Sequence, residues 1–177
     1  MRGKLSFLTK RFFIMGIAAL LASCTSLKTL DVSDIGLRNA KTPTPALVTS
    51  GQPTVSDLEA LASRGVKNVV NLRTEGEFDD FDEAAEAERL GLNYIQLPIA
   101  GAQDINRENA QKLHEILADL DGQTLLHCGS GNRVGALLAV KAATVDGKTR
   151  EEAIEFGLAA GLTRLEAKAR EVIEEEQ

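Results

Sequence analysis

Cysteine and histidine are scarce in this chain, with two of each among 177 residues. His114, His127, Cys24 and Cys128 stand at no metal-ligand spacing, which argues against a metal centre. No other motif asks for a cofactor. An excess of positive charge is also missing: 20 basic residues face 26 acidic ones, for a net charge of −6. That balance argues against a nucleic-acid partner, which is held through basic patches. There are no internal repeats. The one long apolar run, Phe12 to Leu21, is too short to span a bilayer comfortably as a permanent helix.

What the N-terminus does have is the layout of a processing segment. Arg2, Lys4, Lys10 and Arg11 precede the apolar run, which finishes in Leu21-Ala22-Ser23-Cys24. This resembles the lipobox of bacterial lipoproteins. The resemblance implies cleavage after Ser23, lipid on Cys24 and anchoring in the cell envelope. Thr25 in place of an aspartate implies the periplasmic face of the outer membrane. An ordinary signal peptide cut at a small residue is the alternative. Without residues 1–23 the chain has 154 residues and a net charge of −10, enough for one domain with a real core. Lipid on Cys24 leaves Cys128 with no disulfide partner, even in an oxidising compartment.

Residues 24–46, polar and carrying Pro43 and Pro45, read as a tether to a domain spanning 47–177. Within that domain, apolar runs predict strands at Leu47 to Ser50, Val66 to Leu72, Leu92 to Leu97 and Thr124 to His127. Between them, Ser56 with Glu59 suggests a capping box for a helix that stops near Gly65. Residues 74–82 read as an acidic loop, followed by a helix from Glu83 to Leu90. Ala110, Leu113, Leu117 and Leu120 mark one face of a helix over 107–120. Thr149 with Glu152 and Thr163 with Glu166 fit the capping boxes of two more helices. Strands alternating with helices predict an α/β fold, a parallel-rich central sheet flanked by helices.

The richest stretch is HCGSGNRVGAL, His127 to Leu137. Cys128 ends a buried strand, and Gly129 and Gly131 permit positive φ angles in a tight turn. Arg133 then opens an apolar helix. Such a turn aims backbone N–H groups, a helix N-terminus and one guanidinium at a single sulfur, an environment that favours thiolate. The expected partner is a tetrahedral anion. Gly129, Ser130, Gly131, Asn132 and Arg133 are its candidate ligands and Cys128 the candidate nucleophile. The plainer reading is a buried cysteine in an ordinary strand–helix turn. His127 should point away from the nucleophile by strand alternation and brace the loop.

HCGSGNR is similar to the phosphate-binding loop of protein tyrosine and dual-specificity phosphatases. The chain more widely resembles a related bacterial phosphatase-like family, the one found fused in beta-lactamase hydrolase-like proteins. That likeness runs through Ser50-Gly51-Gln52-Pro53, Val69-Val70-Asn71-Leu72-Arg73 with Glu75 and Glu77, Gly91-Leu92-Asn93-Tyr94 and Leu97-Pro98. It implies a cysteine-dependent phosphatase fold, Cys128 as nucleophile, Arg133 as oxyanion ligand and phosphomonoester hydrolysis through a phosphocysteine. The substrate would be a phosphoprotein or a small phosphate ester. Asp104 sits where the resemblance places the general acid, and equally reads as a turn or helix-start residue.

Two departures keep other readings open. Only four residues separate Cys128 from Arg133, where tyrosine phosphatases have five, and Val134 follows where they carry a hydroxyl residue. The four-residue spacing resembles rhodanese-like sulfurtransferases, whose cysteine carries a persulfide. A non-catalytic anion-binding module is the third reading. Nothing in the residues fixes an oligomeric state.

Overall fold

A computed structural model describes residues 27–175 of the protein. Residues 1–26, including the expected signal segment and Cys24, lie outside the described residues. The chain runs through β1 (Lys41–Thr44), β2 (Leu47–Ser50), α1 (Val55–Ser63), β3 (Val66–Asn71), α2 (Glu83–Arg89) and β4 (Asn93–Gln96). A short 3₁₀ turn, Ala102–Asp104, leads to α3 (Arg107–Ala118), β5 (Gln123–His127), α4 (Asn132–Thr144), α5 (Arg150–Ala159) and α6 (Glu166–Glu175).

The five strands form one sheet in the order β1-β2-β5-β3-β4. β2, β5, β3 and β4 are parallel, and β1 lies antiparallel on the β2 edge. Strand alternation divides the core between the two faces. Leu47, Val70 and Leu126 point into the larger cluster with residues of α3, α4, α5 and α6, while Val48, Val69 and Leu125 meet α1 and α2 on the other face. α4 is buried on nearly every side, as a central helix without a polar stripe must be. Its Gly135 has no room for a side chain, because a Cβ there would lie 2.0 Å from the Leu162 amide nitrogen.

Two local readings are corrected. The tether expectation for residues 24–46 fails over its described part: Val32, Ile35 and Leu37 are buried against the α1 side, and β1 joins the sheet. Asp34 is held in a two-pronged ion pair by Arg64 at 2.7 and 2.8 Å. These apolar residues have no regular spacing because they cover an existing face and do not form an element of their own. The first helix is capped at Thr54, not Ser56, by a reciprocal Thr54–Asp57 box. The Thr149–Glu152 box forms as read. Thr163 instead gives its hydroxyl to Asn132, 31 residues away.

Candidate active site

The ends of β2, β3 and β5 converge on the turn from Cys128 to Arg133, the position at which open α/β sheets gather their ligands. β5 delivers His127 and Cys128, and α4 starts at Asn132 with its N-terminus facing back onto the turn. Gly131, at the helix N-cap, has φ +88°, which a side chain would oppose. Gly129 does not take a positive φ, and a Cβ there would make only ordinary contact, 3.5 Å from the Arg133 guanidinium. The turn is braced from behind by Ser50 to Gln52. The Cys128 amide donates to Ser50 O at 3.4 Å, Gly51 bridges to Ser130, and Asn39 Nδ2 donates to Ser130 O at 3.0 Å.

Cys128 is 1 % exposed, with apolar neighbours on the core side. Its Sγ accepts a hydrogen bond from the Gly131 amide at 3.2 Å. Among the described residues, the amides of Gly129, Ser130, Asn132 and Arg133 donate to no protein acceptor. Beyond them lies a cavity of about 440 Å³ lined by Ala100, Gly101, Ser130, Asn132, Arg133, Arg164 and Leu165. The site thus has a sulfur at the base of a turn, uncommitted donors above it and an arginine at the side. Among the described residues, no cluster of metal-ligating side chains is present.

Arg133 is held by a partner that local spacing does not reveal. Its guanidinium grips the Glu77 carboxylate at 2.6 and 2.8 Å and donates to Ile99 O at 2.6 Å. This fork, helped by the Thr74 amide and hydroxyl, pulls the Glu77 pKa down from 4.5 to about 2. The same pairing, with a smaller contribution from the Cys128 sulfur, raises the pKa of Arg133. Arg73 is not paired with Glu75. It donates to Gln52, stacks 4.6 Å above the Phe78 ring and keeps Glu77 at 4.0 Å.

His127 is fully buried, turned away from the cavity, with Nε2 2.8 Å from Glu83 Oε1. The contact is close, but its N–H···O alignment falls short of a hydrogen bond. The other Glu83 oxygen accepts from Asn71 and Gln52. Asn132 presents its backbone to the turn, but its buried side chain faces elsewhere. Oδ1 accepts from Thr163 N at 2.9 Å, Thr163 Oγ1 at 3.0 Å and Leu165 N at 3.3 Å. Asp104 closes a turn: its carboxylate accepts from the Ala100 amide at 2.7 Å and is not among the residues lining the cavity.

Residues 26–177 match the family described as DSP-PTPase phosphatase fused to NAD+ kinase. The chain belongs to that family. The match makes this a tyrosine-phosphatase-like hydrolase domain and not a sulfurtransferase. A beta-lactamase hydrolase-like protein of Xylella fastidiosa (strain 9a5c) is 33 % identical over 135 residues, 70 % of this chain. The matched segment is only 31 % of that relative's length. Two solved structures share the fold of this DSP-PTPase domain. A candidate phosphatase of Neisseria meningitidis Z2491 is 22 % identical, with TM-score 0.65, over 77 % of this chain and 97 % of its own. TpbA of P. aeruginosa, crystallised with pTyr, is 20 % identical, with TM-score 0.58, over 86 % of this chain and 90 % of its own.

Glu77, Glu83 and Arg164 are the site residues that sequence reasoning did not place. Only the Glu77 segment left a trace, as part of the family-like run after Arg73.

Proposed function

We propose that the domain hydrolyses phosphomonoesters with Cys128 as nucleophile, and that aryl phosphates such as phosphotyrosine are accepted. The observation that carries this reading is the Gly131 amide on Cys128 Sγ, below four amides with no protein acceptor. A sulfur so placed has one hydrogen bond stabilising its negative charge and leaves the neighbouring donors for the phosphoryl oxygens.

In the first step Sγ attacks phosphorus, the P–S bond forms and the P–O bond to the alcohol breaks. Loop amides of Gly129, Ser130, Asn132 and Arg133 hold the equatorial oxygens, with the Arg133 side chain at the flank. The leaving alkoxide takes a proton from Asp104, whose carboxyl must first release the Ala100 amide at the cavity rim. Water then attacks the phosphocysteine, returning the thiolate and inorganic phosphate. His127 with Glu83 acts by holding the end of β5 and does not touch substrate. Lipid on Cys24 keeps the domain at the envelope membrane, which C24A tests by loss of the membrane-bound fraction.

Hydrolysis of p-nitrophenyl phosphate by the wild type and none above background by Cys128→Ser is the expected result. Equal rates from the two proteins overturn the reading. For the acid, D104N lowers turnover of an alkyl phosphate by about 10²-fold and spares the aryl ester, whose leaving group needs little protonation. An unchanged alkyl rate removes Asp104 from the mechanism.

A further inference from the structure

The cavity lined by Ser130, Asn132 and Arg133 of the cysteine loop has a second guanidinium. Arg164 lines it from the turn between α5 and α6. Among the described residues Arg164 has no ion-pair or hydrogen-bond partner. No carboxylate is among the residues lining the cavity, and Glu166, two positions along the chain, is held by Arg170 at 2.8 and 2.9 Å. In a chain of net charge −6, an arginine without an internal counterion beside an anion cradle is an unspent positive charge.

The backbone carrying Arg164 is also fixed. Thr163 immediately before it and Leu165 immediately after it both donate to Asn132 Oδ1, so one buried carboxamide pins the backbone on both sides of Arg164 to the first residue of α4. A cation on a pinned turn loses less freedom on binding than one on a loose loop. The cavity volume of about 440 Å³ falls in the range of small-molecule sites and exceeds what one phosphoryl group needs.

We infer that Arg164 is a specificity residue that receives a second phosphate-like group of the substrate while the scissile phosphate sits on the Cys128 loop. The preferred substrate class is therefore a phosphomonoester carrying a further dianion at its other end. This inference rests on the phosphatase reading and names the substrate class of that same site.

Two esters with matched leaving groups test it: 4-ethylphenyl phosphate and 4-(phosphonomethyl)phenyl phosphate. The full-length wild type is expected to favour the phosphonate ester by about tenfold in kcat/KM, carried by KM, as one charge-assisted contact allows. Arg164→Ala loses about tenfold more on the phosphonate ester than on the ethyl ester, Arg164→Lys recovers part of the difference, and salt shrinks it because the guanidinium is exposed. Lys67→Ala, a loss of exposed charge at the opposite end of β3, leaves the preference intact. Equal losses on both esters, or no loss in Arg164→Ala, overturn the inference while the phosphatase reading stands. A wild type that turns over neither ester overturns the phosphatase reading. The subsite is then read from calorimetric binding of the same two esters: an Arg164-dependent preference supports it, and its absence overturns it.

Discussion

The two walls that flank the cysteine loop are built on opposite plans. The wall from β3 to α2 is densely paired: Arg73 donates to Gln52, Glu77 is gripped by Arg133, and Glu83 accepts from Gln52 and Asn71. The wall from α5 to α6 is pinned to α4 through the Asn132 carboxamide, and it leaves Arg164 unpaired. Groups that satisfy one another set geometry; a group left unsatisfied is available for recognition. The first wall therefore holds Arg133 in place before substrate arrives, and the second is where a substrate can add contacts.

The comparison breaks most visibly at Arg133. Arg133→Ala removes a charged donor from the phosphoryl oxygens and strips Glu77 of its counterion, so kcat/KM for an aryl phosphate falls by about 10³-fold. Steady-state kinetics reads this directly, and a loss below tenfold contradicts the placement of Arg133. Next come the two anchors. Glu83→Ala removes the buried carboxylate that accepts from Asn71 and Gln52 and costs about 3 kcal/mol in urea unfolding. Asn132→Ala removes three modest hydrogen bonds and costs about 1–2 kcal/mol. If the two variants unfold alike, the densely paired wall is no more rigid than the open one.

The smallest effect is a pH dependence at Glu77. Its carboxyl titrates at about 2 when folded, below the ordinary 4.5, so the ionised form stabilises the fold fully above 4.5. That contribution declines as pH falls from 4.5 through about 2. The stability difference between wild type and Glu77→Gln is thus expected to be flat above about pH 5 and to shrink in acid, measured by thermal unfolding. A difference that grows in acid reverses the assignment.

The sheet was legible because buried parallel strands leave short apolar runs: Leu47 to Ser50 matches β2 residue for residue, and Val66 onward marks β3. The loop was legible because its glycines, sulfur and arginine are adjacent in the chain. What could not be read is whatever closes over distance. Glu77 meets Arg133 across 56 residues, and Asn132 takes the Thr163 hydroxyl that local spacing assigned to Glu166. Val32, Ile35 and Leu37 fooled the eye for a related reason. Their spacing follows the surface they cover, and no helix or strand period records it.

Gly135 gives the site a property that neither wall has alone. With the Leu162 backbone almost in contact with α4 at this glycine, and Asn132 fastening the next residues one turn earlier, the two guanidinium-bearing segments travel as one body. The backbones that carry Arg133 and Arg164 then keep a set spacing, while the exposed Arg164 side chain is left to adapt its reach. A methyl group at 135 would be the wedge that changes that spacing.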